Sequence, residues 1–188
     1  VDCKDAGSIG DKVCGDAIGK HHFDNLGLAY PSGDELERVI MGIKVYSPDL
    51  ETVFRLTGEG LHGFIVNRHL FGQRLLKEAM DAGAVLLDLT QAIEPIIEGG
   101  FVRGIVARDL RVNSKIRIEG KVTIDASGYA AALRRKLPPE MGVETAINRR
   151  DEVLCYREIR LLNAEIEEPD FCQIYLDLNA APGGYYWI

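Results

Sequence analysis

Asp2 and the run Cys14-Gly15-Asp16-Ala17 are the side chains of this 188-residue chain best suited to holding a cofactor. Val1-Asp2-Cys3-Lys4 reads as the end of a strand. An acid there could accept a hydrogen bond from a ribose hydroxyl, about 20 residues after a set of phosphate-binding glycines in a dinucleotide site. Those glycines would lie before Val1. Cys14-Gly15 reads as a turn opening a helix, and its small residues would let a flat ring approach the backbone. A helix N-terminus at this point would lower the pKa of the Cys14 thiol and favour an anionic ring.

Gly58-Glu59-Gly60-Leu61-His62-Gly63 matches the G-x-G-x-x-G phosphate fingerprint letter for letter. That fingerprint needs a helix to start at its third glycine, so that the pyrophosphate meets the helix N-terminus. Here Phe64-Ile65-Val66 follows and reads as extended, and Glu59 would set a negative charge among phosphates. The stretch is therefore read as a glycine-rich loop. His21, His22 and His69 lack metal-ligand partners at useful spacing and read as surface or polar-core residues, so no metal site is expected. Arg68 opens a helix, where a guanidinium could reach a phosphate or a ring carbonyl. Ser127-Gly128 lacks the G-x-S-x-G context of a nucleophile. Tyr185, Tyr186 and Trp187 form an aromatic edge that suits either a core or a large apolar pocket.

These residues need elements to position them. The pattern predicts a short helix over 17–26 stopped by Gly27, and a second over 35–39 after the Pro31-Ser32-Gly33 turn. Strands are expected around 43–45 and 53–56, on either side of Ser47-Pro48-Asp49. The clearest helix covers 67–82, with Asn67 as N-cap, Phe71, Leu75 and Ala79 in one stripe, and Gly83 as stop. A buried strand at 84–87 follows, then an antiparallel meander over 93–97, 101–107 and 115–118. A strand at 121–125 leads to a helix over 129–137, stopped by Pro138-Pro139. Strands are expected at 153–162 and 171–178. The texture changes near Pro138, where a domain boundary is placed. The plan is mixed α/β with an inserted antiparallel layer.

The bulk numbers narrow the function. Net charge is −7, from 22 basic and 29 acidic residues, which argues against a nucleic-acid binder. No apolar run is long enough to span a membrane. None of the four cysteines forms a C-x-x-C pair, and Cys155 and Cys172 fall in strand-like runs and are expected to be buried. Both ends of the chain read as cut within elements, so a piece of a longer protein is expected.

The chain resembles the geranylgeranyl reductases, and most closely the archaeal ether-lipid branch of that family. The resemblance rests on Val1-Asp2-Cys3-Lys4, Ile9-Gly10-Asp11-Lys12-Val13-Cys14-Gly15-Asp16-Ala17 and Ser47-Pro48-Asp49. It continues through Gln73-Arg74-Leu75-Leu76-Lys77-Glu78-Ala79, Asp125-Ala126-Ser127-Gly128-Tyr129 and Leu133-Arg134-Arg135-Lys136-Leu137-Pro138-Pro139-Glu140. It ends with Pro182-Gly183-Gly184-Tyr185-Tyr186-Trp187. It implies the Rossmann-like FAD-binding fold of the p-hydroxybenzoate-hydroxylase type, with residues 1–137 in the FAD-binding domain and 138–188 beginning a substrate domain. It also implies non-covalent FAD and stepwise saturation of isoprenoid double bonds in membrane ether lipids or their precursors.

Carried over by position, Asp2 would bond the FAD ribose, Cys14, Gly15 and Ala17 would line the isoalloxazine, Arg68 would contact FAD, and Ala92 would lie by the adenine. Cys14 is the candidate proton donor. Tyr185 and Trp187 match the start of a Tyr-x-Trp-x-Phe-Pro substrate motif. The family's phosphate glycines would precede Val1 and its closing Gly-Asp segment would follow Ile188, so weak or no FAD binding is expected of these residues alone. The electron donor is left open among NADPH, ferredoxin and a deazaflavin. A cytoplasmic protein with peripheral membrane contact is expected, of undetermined oligomeric state. The alternatives are an oxygen-using flavin monooxygenase or halogenase of the same fold and a non-catalytic nucleotide-binding module.

Overall fold

The computed structural model describes residues 1–188. In chain order the elements are β1 (Ala17–Gly19), α1 (Lys20–Leu26), β2 (Leu36–Ile40), β3 (Gly42–Tyr46), β4 (Val53–Thr57), β5 (Gly63–Val66), α2 (Arg68–Asp81), β6 (Thr90–Glu98), β7 (Phe101–Asp109), β8 (Ser114–Glu119), β9 (Phe171–Tyr175) and β10 (Tyr186–Trp187). They fall into two compact units. One comprises Val1–Ile9 and Leu75–Tyr156, the other Gly10–Arg74 and Arg157–Ile188.

In the second unit the helix expected over 17–26 is shorter at its start. Residues 17–19 form β1, because their backbone groups pair antiparallel with β5, from Ala17 opposite Ile65 to Gly19 opposite Gly63. Gly63 permits that approach: a Cβ there would stand 2.6 Å from the Ile18 carbonyl oxygen. Gly27 ends α1 in the left-handed conformation, φ 64°, as the sequence predicts. The helix expected at 35–39 is instead β2, which pairs with the other edge of β5. Strand pairing outweighs the local helical signal here, since both edges of β5 need partners. Phe23, Phe64 and Phe71 make the core between α1, β5 and α2, with ring centroids 5.4 and 5.8 Å from Phe23.

The long helix is where its sequence pattern places it. The Asn67 side-chain oxygen accepts the Leu70 N–H at 3.2 Å, and the turn beyond Asp81 ends on Gly83 at φ 98°. Phe71 is its buried anchor. Gly10 and Gly72 touch backbone to backbone, so a side chain on either would force the opening loop off α2.

A second sheet has the order β10-β9-β3-β4. β3 pairs antiparallel with β4 across the Ser47-Pro48-Asp49 turn and parallel with β9. Side-chain alternation gives it two different faces. Tyr186, Tyr175 and Tyr46 stand opposite one another on one face, stacked at 4.8 and 4.6 Å. The in-register row Trp187, Ile174, Val45 and Phe54 lies on the other.

The first unit holds the expected meander, β6-β7-β8, with a tight turn at Gly99-Gly100 where both glycines take positive φ. Ile105, Ala107 and Leu133 form its core, against Ala92, Ile116 and Ile118.

Besides the helix at 35–39, four expected elements are absent. Residues 84–87 and 121–125 are irregular. Residues 129–137 form only two short 3-10 turns, broken by Ala131 in the left-handed region at φ 43°. Asp125 directs this, accepting the N–H groups of Ser127, Leu133 and Arg134 at 3.0, 3.1 and 2.9 Å. Residues 153–162 have strand composition but no neighbouring strand, and Leu154 and Leu161 are 99% and 100% exposed. An extended segment without a pairing partner is not a strand. Cys155 is consequently exposed rather than buried, and Cys172, on β9, is half-buried. No helix is long and apolar enough to cross a membrane.

Candidate functional site

The turn Cys14-Gly15-Asp16 leads directly into β1. No helix starts at Cys14, because α1 begins only at Lys20 with Gly19 as its N-cap. The helix-dipole argument for that thiol therefore does not apply. Instead the turn is shaped by two contacts from the C-terminal part of the same unit.

The first is with Trp187. A Cβ on Gly15 would stand 2.6 Å from the indole Cζ2, well inside van der Waals contact. Only glycine lets the ring lie there. Trp187 is held by β10, whose Tyr186 and Trp187 pair with Tyr175 and Ile174, and Ile188 exchanges two hydrogen bonds with Gln173 at 2.9 and 3.0 Å. Tyr185, just before β10, is exposed.

The second contact is through Asp16, which is only 4% exposed and takes φ 62°, in the left-handed region. Its carbonyl accepts the Val66 N–H at 3.0 Å. One carboxylate oxygen meets the Arg157 guanidinium at 2.5 Å, while the other is buried with no hydrogen-bond partner. Burial pushes the Asp16 carboxyl above the usual carboxylate range, and the positive charges of Arg157 and Arg68 only partly offset this.

Arg68, the first residue of α2, lies over the Phe71 ring at 5.6 Å from its centroid. His69 sits 3.0 Å from the Asp11 carboxylate, beside the Gly10–Gly72 contact. The structure thus gathers Cys14, Gly15, Ala17 and Trp187 around one turn, with Arg68 close enough to act on Asp16 electrostatically. Gly58-Glu59-Gly60-Leu61-His62-Gly63 runs through a 3-10 turn into β5, not into a helix, so the phosphate-fingerprint context is missing.

Asp2 and Ala92 belong to the other unit. The Asp2 N–H donates to the Leu87 carbonyl at 2.9 Å, and its own carbonyl accepts from Thr90 at 2.8 Å, which ties it to the start of β6. Its carboxylate accepts the Lys4 N–H at 2.9 Å. Ala92, on β6, borders a cleft of about 280 Å³ whose floor is small, with Ala131 and Ala132, and whose rim is cationic, with Arg108, Arg135 and Lys136. Lys136 donates to the Ile93 carbonyl at 2.6 Å.

Sequence reasoning missed Arg157 and gave Asp16 no role of its own. Asp16 stood in view inside the motif, but its burial depends on β5 and on a stretch far along the chain. Arg157 sits in a segment that reads as an ordinary strand.

Comparison with known proteins places these features in a class. Residues 151–188 match a family model described as the geranylgeranyl reductase catalytic domain. The chain belongs to the geranylgeranyl reductase family. More particularly, it is 46% identical over 187 residues to the digeranylgeranylglycerophospholipid reductase of Sulfolobus acidocaldarius, covering 100% of this chain and 41% of that protein. It is 30% identical to the enzyme of the same name from Methanosarcina acetivorans, covering 96% and 42%. The chain therefore spans about two fifths of the length of these relatives. Its fold matches the crystal structure of a geranylgeranyl bacteriochlorophyll reductase-like protein from Thermoplasma acidophilum, with TM-score 0.78 and 23% identity, covering 96% of this chain and 44% of that one. That match agrees with the mixed α/β class expected from the sequence.

Proposed function

We propose that this chain forms part of a flavin-dependent reductase that saturates geranylgeranyl double bonds in archaeal-type ether lipids or their precursors. The observation that carries the reading is the seat at Gly15. A flat aromatic ring, the Trp187 indole, lies where a Cβ would otherwise stand. The contact brings the glycine turn, whose residues are expected to face the flavin, against the aromatic edge expected to face the substrate.

In this reading the cofactor is FAD. Cys14, Gly15 and Ala17 line its ring, Arg68 contacts it, Asp2 bonds its ribose and Ala92 lies by the adenine. Residues 1–137 then belong to the FAD-binding domain and 138–188 to the start of the substrate domain. Reduced flavin, when bound, supplies hydride equivalents to the alkene. An isolated trisubstituted alkene is unactivated, so the protein's main task is alignment. Trp187 and Tyr185 supply apolar walls that orient the chain and exclude water. The Cys14 thiol, half-buried in the turn, holds the proton for the second alkene carbon. The electron donor is NADPH, ferredoxin or a deazaflavin. The protein acts in the cytoplasm, with peripheral contact at the membrane that carries its substrate.

The test uses the full-length protein, chemically reduced and mixed anaerobically with a geranylgeranyl ether lipid. Mass spectrometry should show one added H₂ per saturated double bond. Oxygen-dependent hydroxylation of a substrate, with no saturation, would instead assign a monooxygenase. Cys14→Ala should slow saturation while leaving flavin bound, and an unchanged rate removes the thiol from the mechanism.

A further inference from the structure

We propose that Asp16 and Arg157 are a positioning pair, which holds the Cys14-Gly15 turn beneath the Trp187 indole. The argument does not depend on the flavin reading, because every contact in it lies within this chain.

Asp16 concentrates three unfavourable features. It is a carboxylate buried to 4% exposure, one of its oxygens has no hydrogen-bond partner, and its backbone is left-handed without being glycine. Each is unfavourable by itself. Such outliers persist where surrounding structure holds them, and they cluster at working sites. Stability does not account for Asp16, since burial raises its carboxyl pKa despite two nearby cations.

The geometry indicates what it does. The Asp16 carbonyl takes the Val66 N–H, and Ala17 begins β1, so the downstream side of the turn is tied to β5. The carboxylate is tied separately, to Arg157 at 2.5 Å. These two ties fix the backbone of Asp16 from both sides and thereby set the direction of Gly15. Arg157 leads along the chain to β9, and β9 pairs with β10, which carries Trp187. Asp16–Arg157 and Gly15–Trp187 are therefore two adjacent links between the same two stretches, residues 10–74 and 157–188. The Arg157 side chain is 33% exposed in a segment whose Leu154 and Leu161 have no cover, and its ion pair with Asp16 is a point at which that segment is held.

Trp187 is the single tryptophan of these 188 residues, and its fluorescence, taken as the difference from a Trp187→Phe background in the full-length protein, reads the contact. Asp16→Asn keeps the size and the tolerance for a left-handed backbone but removes the charge. Arg157→Gln removes the partner. Each should red-shift the Trp187 emission and raise its acrylamide quenching toward that of the denatured chain. The double variant should do no more than either single one, because both break the same link.

The charged groups facing Asp16 are Arg157, Arg68 on α2 and Glu37 on β2. Of these pairs, only protonation of Asp16 itself is removed by Asp16→Asn. Acid should therefore red-shift the wild type while far-UV circular dichroism stays native, and should leave Asp16→Asn flat over the same range. Unchanged emission and quenching in both single variants would overturn the proposal, even if their melting temperatures fell. Additive effects in the double variant would overturn it too. Should Asp16→Asn fail to fold, Arg157→Gln, whose side chain is 33% exposed, reads the same link.

Discussion

Two aspartates, each in a glycine-containing turn, are treated in opposite ways by this fold. Asp125 faces water and accepts hydrogen bonds from Ser127, Leu133 and Arg134, with a further bond from the Ser127 hydroxyl. Some burial pushes its carboxyl upward, but those donors outweigh it and hold the pKa at about 2. Asp16 is buried, has one cationic partner and one unpartnered oxygen, and its carboxyl is pushed up. The first arrangement is a staple: the charge is well served and the turn is stable because of it. The second carries its charge at a cost, next to the glycine on which an aromatic ring rests. The difference shows that a buried, poorly served carboxylate marks a place where geometry matters more than stability.

The comparison can be broken most forcefully at the neighbour of Asp16. Gly15→Val places a Cβ where the indole stands, 2.6 Å from Cζ2. The ring must leave or the turn must move, with an expected loss of about 1–3 kcal/mol on overpacking. Trp187 emission should shift to the red, and urea melts measure the loss. A wild-type spectrum would mean that the ring does not rest on Gly15.

On the other side, Asp125→Ala leaves three backbone donors without their acceptor. Water reaches the Ser127 and Arg134 N–H groups while that of Leu133 is part-buried, so the expected loss is about 1–2 kcal/mol. Urea melts against Asp125→Asn separate the charge from the shape.

The two aspartates should also differ in the sign of their pH dependence. For Asp125 the folded pKa is lowered from 3.8 to about 2. Its contribution is present above the unfolded value and is lost as pH falls through the folded one. For Asp16 the folded pKa is raised, so the folded state is favoured below the unfolded value and that advantage is lost as pH rises through the folded pKa. Relative to their Asn variants, the wild type should gain stability with rising pH at Asp125 and lose it at Asp16. Slopes of the same sign would erase the contrast.

The smallest effect is expected at Ala131, the left-handed residue that the Asp125 staple tolerates, φ 43°. Ala131→Gly relieves a strain of about 1–2 kcal/mol, but it adds chain entropy of about 0.5–1 kcal/mol and removes a buried methyl worth about 0.8 kcal/mol, so the net change should stay within about 0.5 kcal/mol of zero. A thermal melt of the two proteins checks it.

Elements that depend on local pattern were readable in advance. The Asn67 cap, the stripe through Phe71 and the Gly83 stop define α2, and alternating runs with a Gly99-Gly100 turn define the meander. Elements that depend on a distant partner were not. Residues 17–19 and 35–39 carry helical signals and are strands because β5 lies between them. Residues 153–162 carry a strand signal and pair with nothing. Residues 129–137 lose their helix to a single aspartate that takes two of its backbone N–H groups.

The chain's residues alone determined its family, its mixed α/β class, the glycine turn at Cys14-Gly15 and the aromatic pair Tyr185 and Trp187 as the parts to watch. Only the tertiary structure decided that Trp187 rests on Gly15, that Asp16 is buried and left-handed, and that Arg157 is its partner. The reason is physical. A turn residue and an aromatic edge announce themselves by type, but burial, backbone φ at a non-glycine residue and the pairing of charges far apart in the chain exist only once the two stretches have folded together.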